Sequence, residues 1–239
     1  QKHYELDRRH FWRIAKRRLV RDLLDRYLPA RRPLKLLDVG GACSVLSGEL
    51  RAYGEVLVIE PDEEVIAQAA AELPVEVRRG WLPDNLPVEG TYDAVTLLDV
   101  LEHVEDDRGS LAALRGVMAP GGLFVCAVPA LQWLWSEHDE ALHHKRRYSR
   151  GELGARLREA GFEVLRLSYY TSLLLPLLVA QRTVSERRRR PGPPRYNVQV
   201  PHALVNGVFG AVMTLERQLL RVVNMPLGSS LIAVCRRPG

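Results

Sequence analysis

Cysteine is scarce: Cys43, Cys126 and Cys235 are the only three in 239 residues, and no two of them form a Cys-x-x-Cys pair. Neither a disulfide framework nor a cysteine-rich zinc site is indicated, and a reducing cytoplasm suits such usage. No stretch approaches the roughly 18 apolar residues that a spanning helix needs. The first 21 residues alternate charges with aromatics and lack the continuous apolar core of a secretory signal. The expectation is a cytoplasmic chain without a transmembrane segment, at most peripheral at the inner face of a membrane. Interleaved aromatic and basic residues, the pattern of a nucleic-acid stacking surface, are also missing, so nucleic acid is not an expected partner.

What is present suffices for one large globular domain, with 46% hydrophobic and 26% charged residues. The net charge of +5 comes mostly from arginine, clustered at 8–21, 145–150 and 187–190. Such clusters are either solvated faces or contacts for acidic substrates and anionic lipid heads.

Apolar residues Phe11, Ile14, Ala15, Leu19, Leu23, Leu24 and Tyr27 recur at helical spacing, and Pro29 and Pro33 end that helix. Strands are then expected at 34–39, 55–60, 75–79, 92–98, 122–128, 162–169 and 230–236. Helices are expected at 45–52, 63–72 and 108–118, and from a capping box at Ser149 and Glu152 to Gly161. Alternating strands and helices with short turns imply a mainly parallel sheet covered on both faces. Residues 171–229 break the rhythm: an apolar run at 173–180 containing Pro176, the arginine run with Pro191, Pro193 and Pro194, then a helical stretch at 203–223. These two apolar pieces either pack on each other as a cap over an acceptor, or touch lipid through 173–190.

The first strand ends Leu36-Leu37-Asp38-Val39-Gly40-Gly41-Ala42-Cys43-Ser44. Small residues there let the backbone approach a ligand, and the following helix N-terminus offers amides to an anion. A dinucleotide turn wants G-x-G-x-x-G, and here Ala42 and Ser44 stand where the nicotinamide pattern lacks two of its glycines. Glu60, at the end of the second strand, is spaced to accept hydrogen bonds from the hydroxyls of a ribose.

The run Tyr92-Asp93-Ala94-Val95-Thr96-Leu97-Leu98-Asp99-Val100-Leu101-Glu102-His103-Val104, followed by Pro120-Gly121-Gly122, resembles class I S-adenosylmethionine-dependent methyltransferases of the ubiquinone-biosynthesis type. The resemblance covers about residues 35–169. It implies a Rossmann-like, seven-stranded, mainly parallel sheet flanked by helices, with a helical insertion before the last strand. It further implies a division into an N-terminal helical lid (1–33), a cofactor-binding core (34–170), the apolar and basic insertion (171–229) and the final strand (230–239). The cofactor would be S-adenosyl-L-methionine. Asp38 would lie near its methionine amino group, the Gly40 and Gly41 backbone against its amino-acid and ribose parts, and Glu60 on the ribose. Trp81 and Leu82 would border the adenine, with Trp81 replacing an aspartate usual in the family. Leu98 and Asp99 would lie beside the cofactor, near the mouth to which the methyl group points.

Methyl transfer needs an acceptor atom in line with the sulfonium methyl, and a base where that atom belongs to a hydroxyl. His138 and His143, in the cluster Glu137-His138-Asp139 and His143-His144-Lys145-Arg146-Arg147-Tyr148, are candidates, and His103 is a third. The cluster reads equally as a structural network of histidine, aspartate and arginine; no metal site is expected. His10-Phe11-Trp12-Arg13 either covers the cofactor or packs simply. The acceptor expected is a small molecule, a glycan or a lipid-linked intermediate, modified at oxygen. The alternative is a non-catalytic cofactor-binding protein, motivated by Ala42, Ser44 and Trp81. The oligomeric state is open.

Overall fold

A computed structural model describes residues 2–30, 33–187, 192–194 and 198–239. Two helices, α1 (Lys2–Arg9) and α2 (Phe11–Tyr27), precede β1 (Leu34–Val39), α3 (Leu46–Glu49), β2 (Gly54–Glu60), α4 (Glu63–Glu72), β3 (Glu76–Arg79) and β4 (Tyr92–Leu98). The chain continues through α5 (Asp107–Gly116), β5 (Met118–Pro129), α6 (Glu137–Ala141), α7 (Arg150–Glu159), β6 (Glu163–Tyr170), α8 (Leu175–Arg187), α9 (Ala203–Leu219) and β7 (Ser230–Arg236).

The seven strands form one sheet in the order β3-β2-β1-β4-β5-β7-β6. Pairs among β1 to β5 are parallel, and β7 runs antiparallel to both β5 and β6. Burial on both faces explains the near-continuous apolar strands: Leu37, Ile59, Val95 and Phe124 pack into one apolar cluster, and Leu36, Val58, Ala94 and Val125 into the other. This is the seven-stranded, helix-flanked architecture that the sequence predicts.

Three details differ from the sequence reading. Strand β5 begins at Met118, inside the expected helix, because Met118 pairs with Tyr92 ahead of a bulge and Leu123 then resumes the register opposite Ala94. Helix α1, not expected from the sequence, has no strong apolar period: it buries Tyr4 in an apolar cluster and Asp7 among polar partners. Helix α9 packs chiefly along α2, where 173–180 was the expected partner. Phe11 meets Phe209 edge-on at 5.2 Å, and its amide donates to Asn206 Oδ1 at 3.0 Å. Glu216, buried on the inner face of α9, accepts from the amides of Thr171, Ser172 and Leu173 at 2.5, 2.7 and 2.8 Å. These bonds fix α9 to the end of β6. Of the basic run at 187–190, residues 188–190 lie outside the described residues, as does Pro191. No described helix is long and apolar enough to cross a membrane.

Candidate active site

The C-terminal ends of β2, β1 and β4 lie side by side, which brings Asp38, Glu60 and Leu98 to one edge of the sheet. Open α/β sheets bind ligands at this edge. Asp38 is 2% exposed. Its Oδ2 accepts from Ser47 Oγ and its Oδ1 from Thr96 Oγ1, each at 2.6 Å. Burial pushes its pKa up, and those two hydroxyls oppose the rise. The carboxylate is thus a fixed post around which the next turn is built.

That turn leaves no space for side chains. Gly40 has φ +75°, and a Cβ there would run into Val100; at Gly41 a Cβ would overlap the Asp38 carboxylate and lie 2.7 Å from Ser47 Oγ. Glu60 is also buried, with its pKa raised by burial, and accepts from the Asp62 amide at 3.4 Å. The Gly80 amide donates to the Glu60 carbonyl at 3.1 Å and so sets 80–82 beside it. Leu82 is buried there, whereas Trp81 bridges to Asn85 and is 45% exposed. Asp99 has φ 56° and its amide donates to the Ala127 carbonyl at 2.8 Å. All eight cofactor residues named from the sequence therefore line this edge, with Trp81 at its outer margin.

The N-terminal helices cover the turn with residues that the sequence reading did not single out. Tyr4 donates to the Ala42 carbonyl. Asp7, 1% exposed, accepts from Ser44 Oγ at 3.1 Å and from the Val45 amide at 2.9 Å, and pairs with Arg17. Lys16 pairs with Asp99 and lies 4.7 Å from the Trp12 ring centroid. Burial, with Cys43 and Glu72 nearby, pushes the Tyr4 hydroxyl up to about 12. Of the four residues first read as a lid, Phe11 turns to α9 and Trp12 Nε1 donates to Thr171 Oγ1 at 3.0 Å.

Beyond β5 the chain loops out through α6 and returns at 143–148. The Tyr148 amide donates to the Pro129 carbonyl, and the Lys145 amide to the Glu102 carbonyl. A capping box of Ser136 and Asp139 starts α6. Asp139, fully buried, is the hub of this loop. Its Oδ1 meets His144 Nδ1 at 2.9 Å and accepts from Arg147 Nε at 2.8 Å, and its Oδ2 lies 3.6 Å from Arg182. Burial raises its pKa, but the bonds to His144 and Arg147 outweigh that and hold it well below the usual carboxylate range.

The three histidines named from the sequence do not converge. His143, with φ 56°, is exposed. His138 is half-buried, and burial together with Arg182 lowers its pKa to about 4. His103 is exposed, with its ring 4.7 Å from that of His144. His144, passed over by sequence reasoning, is central: its Nδ1–H donates to the ionised Asp139, which leaves Nε2 as the lone pair, 4.0 Å from Glu102 Oε1. Glu102 is fully buried with neither carboxylate oxygen hydrogen-bonded. Glu102, His103 and His144 bring ligand atoms within 4.8 Å of one another, a set capable of holding a cation that the sequence did not reveal.

Residues 11–167 match the family described as Methyltransferase domain. The chain belongs to this family. Its members use S-adenosylmethionine, and the residues at the edge described above fit that group: two buried carboxylates, Asp38 and Glu60, stand beside a turn whose Gly40 and Gly41 carry no side chains. Among curated proteins the chain is similar to a ubiquinone biosynthesis O-methyltransferase of Cereibacter sphaeroides, 33% identical over 112 residues, covering 43% of this chain and 45% of that one. A Pseudomonas aeruginosa protein of the same name is 29% identical over 152 residues, 54% of this chain and 65% of that one. The chain thus spans about half to two-thirds of the length of these relatives. A Haemonchus contortus phosphoethanolamine N-methyltransferase 2 solved with S-adenosyl-L-methionine shares the fold, with a TM-score of 0.59 at 11% identity over 93% of this chain and 52% of that one.

Proposed function

We propose that this methyltransferase passes the methyl group of S-adenosylmethionine to a hydroxyl oxygen of a small-molecule, glycan or lipid-linked acceptor, with His144 as the proton acceptor. The observation that carries this reading is the Asp139–His144 pair at 2.9 Å, set beside Glu102 and His103 just past the end of β4. The ubiquinone-biosynthesis relatives, named as O-methyltransferases, support oxygen as the target.

The cofactor supplies an electrophilic methyl carbon on sulfur. Asp38 would shape the turn that receives its amino-acid end, Glu60 would accept from the ribose hydroxyls, and Leu82 would offer an apolar surface to the adenine. When the hydroxyl is methylated, His144 Nε2 would take up its proton. Asp139 holds the imidazole in the required tautomer and stabilises the cation that forms. His138 is a poorer base, because a group with a pKa of about 4 has little affinity for a proton at neutral pH.

The test is acceptor screening by S-adenosylhomocysteine release, followed by kinetics of His144→Ala, His138→Ala and His143→Ala. His144→Ala should lower kcat by about 100- to 10,000-fold, the range for loss of a general base, while calorimetric affinity for S-adenosylhomocysteine stays unchanged. Equal kcat in His144→Ala and the native enzyme would remove His144 from the chemistry.

A further inference from the structure

The outer face of α9 is the largest run of exposed apolar side chains among the described residues. Leu204, Val208, Ala211, Leu215, Leu219 and Val222 follow one another at intervals of three and four, one stripe along the helix and its last turn. Val205 and Val223 widen it, and the exposures reach 72% at Leu204 and 80% at Val222. The helix is 17 residues long, so the stripe extends about 25 Å. Its only charged residues, Glu216 and Arg217, turn inward, to the backbone of 171–173 and to Asp22. Packing on α2 already uses the opposite face through Phe209 and Asn206. A stripe this long and free of charge is unusual on a surface that only meets water.

Near the C-terminal end of α9 a small hollow of about 20 Å³ between α2 and α9 is lined by Arg26, Arg166, Arg217 and Arg221 with the single carboxylate of Asp22. Arg217 and Arg221 both pair with Asp22, at 3.6 and 3.2 Å. Arg26 donates to the Arg221 carbonyl at 2.7 Å and Arg166 to those of Leu220 and Val223. Arg217 and Arg221 therefore share one carboxylate, and of the four arginines Arg26 and Arg221 are exposed at this end of α9. The segment joining α8 to α9 adds Arg187 to Arg190 and Arg195 in sequence.

We infer that α9 lies in the plane of an anionic phospholipid surface, its apolar stripe among the acyl chains and the exposed Arg26 and Arg221 at its C-terminal end on headgroup phosphates. An interfacial helix needs an apolar face and flanking cations, and α9 has both. Charge decides for lipid over a second copy of the chain, because the stripe ends in an excess of positive charge with no matching acidic patch in the hollow. The contact lies on α9, away from the 173–190 segment first considered from the sequence. It is independent of which acceptor is methylated.

Sedimentation of the full chain with vesicles of phosphatidylcholine, alone or mixed with about one-third phosphatidylglycerol, tests this. The chain should pellet with the mixed vesicles, not with phosphatidylcholine alone, and rising salt should release it. Leu215→Glu and Val222→Glu should each weaken partition on the order of tenfold, the loss of one apolar side chain from the interface. Arg221→Glu should weaken it as well. All three residues are exposed, and unchanged thermal melting will show that each variant is folded. Failure to bind the mixed vesicles, or binding that survives both stripe substitutions, overturns the inference. So does a dimer in sedimentation velocity that Leu215→Glu dissociates while vesicles go unbound.

Discussion

Replacing Gly41 by alanine puts one methyl group where the structure has no room. The added Cβ would overlap the Asp38 carboxylate and lie 2.7 Å from Ser47 Oγ. Asp38 is 2% exposed and held at 2.6 Å by each of two hydroxyls, so it can yield only by giving up its Ser47 bond. A hydrogen bond to a charged group contributes about 1.5–3 kcal/mol. The smaller backbone entropy of alanine in the unfolded chain returns about 0.4–1 kcal/mol. The net loss is about 1–2 kcal/mol, which for a chain of this size lowers the melting temperature by roughly 2–8 °C. Scanning calorimetry measures that shift, and titration with S-adenosylhomocysteine should show weakened binding in the same variant. Ser47→Ala removes the same bond by another route, so the double variant should lose less than the sum of the two. A Gly41→Ala protein that melts and binds like the native one would refute the packing argument, and strictly additive losses would refute the shared bond.

Further outcomes follow from the same edge. Glu60→Ala should weaken S-adenosylhomocysteine binding by about tenfold or more, from the lost charge-assisted bonds to ribose, and unchanged affinity by calorimetry would end the ribose role. Burial holds the Glu102 pKa well above its ordinary 4.5, so its contribution is fully present below that value and is lost as pH rises through the elevated one. Glu102→Gln should therefore flatten the fall of melting temperature with rising pH, and an identical slope in both proteins would contradict a buried, unbonded carboxylate. Burial and Arg182 depress His138 from 6.5 to about 4, so its share of stability is present above 6.5 and is lost as pH falls toward 4. His138→Phe should be less sensitive to acid in that window, as read by melting between those pH values. Asp7→Asn should loosen the glycine turn by weakening its bonds to Arg17, Ser44 and Val45, and amide hydrogen exchange at 41–46 should rise.

The parts legible in the sequence are those written in apolar periodicity. Strands 34–39, 92–98 and 230–236 and helix 63–72 have the bounds that their composition predicts, because apolar runs and helical spacing flanked by turn residues specify them locally. The order of those elements also places Asp38, Glu60 and Asp99 at one edge, since parallel strands end together. What stayed hidden was fixed by polar contacts between distant segments. Helix α1 is held by Tyr4 and Asp7 on a turn about 38 residues away, and no local pattern encodes that.

His144 was missed for a related reason. Spacing compared His138 with His143, but the loop doubles back, and Asp139 selects its partner by position in space, five residues on. The Ser136 and Asp139 capping box was the available signal: it announces a helix start at 137, which fixes Asp139 as a buried hub from which His144 hangs. In α9 the sequence predicted the helix and could not choose its inner face, because both faces are apolar. Glu216 makes the choice: a carboxylate on an apolar helix has to face donors, and the three amides at 171–173 are there to meet it. The apolar stripe on the other side is then left exposed.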